Sequence, residues 1–245
     1  TTVTDYLPEE IKRQVTISSS LAPVEWKDTK LNMIDTPGYA DFIGEVIATT
    51  RAIDNMLMVV CGVAGVEVQT EVIWDIAQGN KMPRIIFINK LERENSCFET
   101  VVEQMREKYG TGIVPLQLPM GKEADFVGMI DLLNEKAYKF ENGKSVEIPI
   151  PEEYMEEYEA NRTYLIEVAA ESCDELLLKY LEGEVPTNKE ILSALRMGIA
   201  NGEICPVVGG SVAKNMGIDI LMDICVDLLP IPTVNAAAPA SAIVF

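Results

Sequence analysis

The sequence predicts an α/β fold: a mostly parallel sheet with helices on both faces, interrupted by an inserted α+β subdomain. Two observations carry this. Short apolar stretches, Met56-Leu57-Met58-Val59-Val60 and Ile85-Ile86-Phe87-Ile88, alternate with helical stretches over residues 70–78 and 97–109. A strand that is apolar at every position is buried on both faces, as in a helix-covered parallel sheet. The alternation lapses after about residue 118 and resumes at Pro206-Val207-Val208, which places a different unit in between.

Taken in order, residues 24–26 and 31–34 read as strands of a hairpin joined by the polar connection Lys27-Asp28-Thr29-Lys30. The runs 56–60 and 85–88 follow, and residues 114–118 read as a third buried strand. In the helix between them, Phe98, Val101, Val102 and Met105 share one face at helical spacing. Residues 119–150 are Gly-rich and polar, with a strand-like piece at Ala137-Tyr138-Lys139-Phe140 before the turn Glu141-Asn142-Gly143-Lys144. Helices are expected over 151–171, 174–181 and 188–201, then the strand 206–208 and a closing helix over 217–229, stopped by Pro230 and Pro232. The division expected is a core at 1–115, an insert at 116–204, a return to the core at 205–232, and a linker at 233–245 entering a further unit.

Composition narrows the chemistry. The chain has 245 residues, a formal net charge of −19 and no His. The lack of His excludes His-based triads, His general bases and His-containing zinc sites. The acidic balance disfavours a domain that wraps nucleic acid phosphates, so DNA is not an expected partner. None of the five cysteines forms a C-x-x-C pair, which reads as thiols in a reducing cytosol. The longest apolar run, residues 56–66, is too short to span a bilayer, and no membrane association is expected. The first residue is Thr, which reads as a processed or excised piece.

Four motifs sit where strands end. Asp35-Thr36-Pro37-Gly38 follows the strand 31–34; a carboxylate there can hold Mg²⁺, usually through water, and Gly38 lets a backbone N–H approach a terminal phosphate. Asn89-Lys90-Leu91-Glu92 follows the strand 85–88. It resembles the Asn-Lys-x-Asp element with which GTPases read guanine, where the carboxylate accepts two base N–H groups and the Asn ties loops together. Gly210-Ser211-Val212 follows the strand 206–208; there a backbone N–H can meet guanine O6, though Gly-Ser turns are common. Thr16, in Arg13-Gln14-Val15-Thr16-Ile17, precedes Asp35 and can join it on the metal in the triphosphate state, or be a plain strand Thr.

The order of these motifs, with Val66-Glu67-Val68-Gln69-Thr70-Glu71, Gly128-Met129-Ile130-Asp131-Leu132 and Lys214-Asn215-Met216-Gly217, resembles the nucleotide-binding domain of the bacterial elongation factor G family across nearly the whole chain. The resemblance implies a P-loop GTPase-type fold, GTP/GDP and Mg²⁺ as ligands, and hydrolysis in the full-length protein. It also implies a monomeric, cytoplasmic factor acting on the ribosome, including its stalk protein and large-subunit RNA. The insert would be the subdomain that carries the stalk contact.

Three departures stand out. No G-x-x-x-x-G-K-[ST] phosphate loop is present; the opening residues look like the stretch just after the helix that follows that loop. Tyr39 stands where the family has a His that orients the attacking water, and Glu92 stands where it has Asp. A switch with negligible turnover, similar to release factor 3 or ribosomal protection proteins, is the alternative within the family. A plain interaction module using the acidic insert is the alternative outside it.

Overall fold

The structure is a computed structural model that describes residues 2–232 and Ala237. The linker expected at 233–245 therefore lies, but for Ala237, outside the described residues.

The central sheet is built from β3 (Met56–Cys61), β4 (Arg84–Asn89), β5 (Ile113–Pro115) and β10 (Cys205–Gly209), all parallel, in the order β3-β4-β10-β5. The alternation of β4 explains why its residues 85–88 are all apolar. Ile85 and Phe87 enter one buried cluster, with Leu165 of α5 (Met155–Glu171), Leu195 of α7 (Asn188–Ala200) and Leu221 of α8 (Ile218–Leu228). Ile86 and Ile88 enter another, with Trp74 of α3 (Val68–Gly79) and Met105 of α4 (Phe98–Tyr109). Helices thus cover both faces, and each buried Ile or Phe side chain contributes about 1.5–3 kcal/mol.

The segment 114–118 is not a single strand. β5 ends at Pro115 in the parallel sheet, and β6 (Gln117–Met120) begins an antiparallel meander with β7 (Gly128–Asp131), β8 (Lys136–Glu141) and β9 (Lys144–Ile148). The chain changes sheets at Leu116, whose N–H still donates to Val207 O at 2.9 Å. Both halves are buried, so their apolar character hides the junction. The meander is capped by α5, α6 (Asp174–Leu181) and α7, and its Leu118 and Ile130 share the cluster of Ile85 and Phe87. The insert therefore has no core separate from that of the parallel sheet.

At the start, α1 (Pro8–Arg13) precedes the hairpin of β1 (Ser20–Trp26) and β2 (Thr29–Asp35). Trp26 pairs with Thr29, so the turn is Lys27-Asp28 alone, tighter than the four-residue connection expected. Both turn residues have positive φ, 45° and 60°, the geometry that matches strand twist in a short hairpin. Lys27 and Asp28 lack the usual Gly, which is why the hairpin was legible but the tight form of its turn was not. The hairpin is not hydrogen-bonded to the central sheet. It is held by Trp26 Nε1 and Lys27 Nζ, which donate to Asp223 of α8 at 2.7 and 2.8 Å. Ser19 N donates to Glu45 of α2 (Ile43–Thr49) at 2.8 Å.

Candidate nucleotide site

Parallel strands bring their carboxyl ends to one edge, and β4 and β10 are neighbours. The loops Asn89–Glu92 and Gly210–Val212 therefore emerge side by side, the usual place for a ligand in a parallel α/β sheet. Their join is specific. Asn89 Oδ1 accepts from Lys90 N at 2.8 Å and from Val212 N at 3.0 Å. Leu91 N donates to Gly210 O at 3.3 Å, and Gly210 N to Ile88 O at 3.0 Å. Lys90 adopts φ 69°, a left-handed kink that turns the chain out of the strand. A Cβ at Gly210 would come within 2.4 Å of Met216 O, so a side chain there would force the loop open.

Ser211 is fully buried, and its loop closes on itself: Ser211 N donates to Met216 O at 3.0 Å and Met216 N returns to Ser211 O at 2.9 Å. The Ser211 hydroxyl accepts from Lys214 N at 3.1 Å. Of the backbone N–H groups in Gly210-Ser211-Val212, the stretch expected to meet guanine O6, that of Val212 is engaged by Asn89 in this conformation. Glu92 ends the first of these loops, and its Oε2 is shielded from solvent and has no hydrogen-bond partner. A buried oxygen without a donor costs about 1–3 kcal/mol.

The remaining expected residues end or flank the β1–β2 hairpin, Thr16 before it and Gly38 and Tyr39 after it. Asp35 ends β2, half-buried and paired with Ser20. Gly38 is exposed, with nothing within 4 Å of where a Cβ would stand, which is room for a ligand oxygen. Tyr39 precedes a single 3₁₀ turn, Ala40–Phe42, and is 59% exposed. The Thr16 hydroxyl donates to Asp5 Oδ1 at 2.7 Å. The segment around it is shaped by Glu10, fully buried, which accepts from Ile17 N, Leu7 N and Ser18 N at 2.9, 3.0 and 3.1 Å. Those backbone N–H groups, Ile17 first, hold the Glu10 carboxyl below the ordinary glutamate value.

The structure thus joins Asn89, Lys90, Ser211 and Val212 directly, and places Thr16, Asp35, Gly38 and Tyr39 on a separate stretch of chain. Among the described residues no group of three acidic, Cys or His side chains is arranged to hold a metal. Thr16 is committed to Asp5 rather than to Asp35. The protein's own donors do not compose a Mg²⁺ cage, a cation that takes much of its shell from water and phosphate in such sites. Sequence reasoning missed Glu10 and α1. The signal was there, in a Pro at the first turn of α1 followed by Glu9 and Glu10.

The chain matches the family of the elongation factor Tu GTP-binding domain over residues 1–231. The chain belongs to that family. Among curated proteins it is 40% identical over 233 residues to elongation factor G of Mycoplasma pneumoniae, covering 94% of this chain and 34% of that one. Against elongation factor G of Mycoplasma genitalium it is 39% identical over 244 residues, with coverages of 98% and 35%. A solved structure from Thermus thermophilus superposes with a TM-score of 0.88 at 33% identity, covering 94% of this chain and 34% of that one. The chain therefore spans about a third of the length of these relatives.

Proposed function

We propose that this chain is the GTP-binding and GTP-hydrolysing domain of a ribosome-associated translation elongation factor. One observation carries the nucleotide reading: Glu92, in one of the two loops that Asn89 ties together, has a shielded carboxylate oxygen without a hydrogen-bond partner. Guanine offers N1–H and the 2-amino group to such an acceptor, and adenine offers neither. The Lys90 stem packs on the base, and the buried Ser211 keeps its loop closed around O6.

On the phosphate side, Asp35 and Thr16 would be the residues to hold Mg²⁺, Thr16 in place of its hydrogen bond to Asp5. The ion, when bound, neutralises charge on the phosphates. Gly38 presents its N–H to the terminal phosphate, and Tyr39 orients the attacking water. Relatives named elongation factor G support a ribosome partner. The acidic outer face of the insert is the surface for the stalk protein, with large-subunit RNA meeting the phosphate side. The division of the chain at 1–115, 116–204 and 205–232 is supported by the change of sheets at Leu116 and the return at β10.

The test is a titration of the full-length protein with guanosine and adenosine diphosphates. Wild type is expected to prefer guanosine diphosphate, and Glu92→Gln to lose that preference by about ten- to a hundredfold, the worth of a hydrogen bond to a charged group. Equal affinity of wild type for both nucleotides overturns the reading.

A further inference from the structure

The loop 211–217 is held at both ends by the parallel sheet and α8, but a third contact comes from far away in the chain. The β8–β9 turn, Asn142-Gly143, has φ of 51° and 74° and reaches this loop. Gly143 O accepts from Asn215 Nδ2 at 3.0 Å. A Cβ at Gly143 would lie 2.9 Å from that Nδ2, so the turn approaches as closely as a backbone can. One step along β9, Ser145 is bound twice by Asp219 of α8, from Ser145 N at 3.1 Å and from Ser145 Oγ at 2.6 Å. Phe140 of β8 completes the contact, with its Cζ 3.4 Å from where a Gly217 Cβ would stand.

We propose that this hairpin of the insert is a prop for the base-reading loop, and that Asn215, Ser145 and Asp219 are positioning residues that set how long guanine nucleotide is retained. The proposal rests on the nucleotide reading above. None of the three is placed against the base. They act on Ser211 and Val212 by fixing the far end of the same short loop, whose own bonds (the Ser211–Met216 pair, Lys214 N to the Ser211 hydroxyl and Asn215 N to Val212 O) all lie within it. A loop fixed before binding loses less freedom on binding, and such preorganisation shows chiefly in the dissociation rate. The hydrogen bonds at Ser145 involve a carboxylate and so are the stronger kind.

The experiment uses full-length protein and a fluorescent guanosine diphosphate. Ser145→Ala is expected to speed dissociation about three- to tenfold, with the association rate unchanged and Ser145→Thr, which keeps the hydroxyl, restoring the wild-type rate. Asn215→Asp, nearly isosteric but without the donor to Gly143 O, should act in the same direction. Amide hydrogen exchange of residues 211–217 in nucleotide-free protein should quicken in both variants while exchange in β4 stays as in wild type. Unchanged loop exchange in both variants overturns the proposal whatever the nucleotide does. Faster loop exchange with unchanged dissociation overturns the link from prop to nucleotide. A wild type that fails to retain guanosine diphosphate overturns the nucleotide reading itself, a result that loop exchange does not depend on.

Discussion

Tyr39 concentrates the chemical question in one side chain. It is 59% exposed, at the start of a 3₁₀ turn just past Gly38, free to swing toward a bound phosphate. A phenol can donate and accept one hydrogen bond, but unlike imidazole it does not become a cation near neutral pH. Phosphoryl transfer asks mainly for positioning and charge stabilisation. We therefore expect slow, ribosome-stimulated hydrolysis, with Tyr39→His raising the single-turnover rate and leaving GTP affinity nearly unchanged. A Tyr39→Phe rate equal to wild type would show that the hydroxyl has no part in holding the water. At this scale the sequence was informative about residue type and silent about state. The resemblance gave Asn89 a loop-tying role, but that its partner is Val212 N depends on β4 and β10 being neighbours. No local pattern encodes that adjacency.

Single elements show which local signals are sufficient by themselves. The start of α7 is a capping box: Thr187 accepts from Glu190 N, and Glu190 reaches back to Thr187 N. Lys179 of α6 also pairs with Glu190. That ion pair first, then the Thr187 N–H and hydroxyl, lower the Glu190 carboxyl to about 2. A depressed carboxyl stabilises the fold above its ordinary value of 4.5 and loses that contribution as pH falls from there through about 2. Glu190→Gln is accordingly expected to flatten this part of the acid-stability curve below pH ~4.5, read by urea unfolding at several pH values. Thr187→Ala should cost about 1 kcal/mol near neutral pH. A variant curve parallel to wild type throughout would mean that Glu190 is not the titrating group. The elements with complete local signals, α7 and α4 among them, were readable from sequence. α2 was not, because it is short and includes Gly44 and β-branched Ile43, Val46 and Ile47.

At the scale of the whole molecule, the charge is uneven. On α5, Tyr158, Leu165 and Val168 are buried while Glu156, Glu157 and Glu159 face solvent, as do Glu152 and Glu153 just before it. Helical spacing made that division legible. Complementary charge accelerates encounter more than it adds affinity, and salt screens it. Reversing Glu156 and Glu157 to Lys is expected to slow association of the full-length protein with ribosomes at low salt, and to matter little at high salt. Identical association rates at every salt concentration would remove the acidic face from the encounter. The shared core of insert and parallel sheet was not legible, since it depends on Leu118 and Ile130 meeting Ile85 and Phe87 in space.

The fastening of the β1–β2 hairpin to α8 has an optical consequence. The chain has two tryptophans. Trp74 is sealed, 6% exposed, stacked on Tyr109 at 4.1 Å with the Arg84 guanidinium 3.9 Å from its ring. Its light should be indifferent to events at the surface. Trp26 is half-buried at the very end of the hairpin, its indole N–H given to Asp223 at 2.7 Å. If nucleotide or ribosome lifts that end away, only Trp26 enters water, and emission shifts toward the red. Trp26→Phe should abolish the shift and Trp74→Phe should leave it, so the hairpin whose second strand ends at Asp35 carries an unlabelled fluorescent gauge of its own movement.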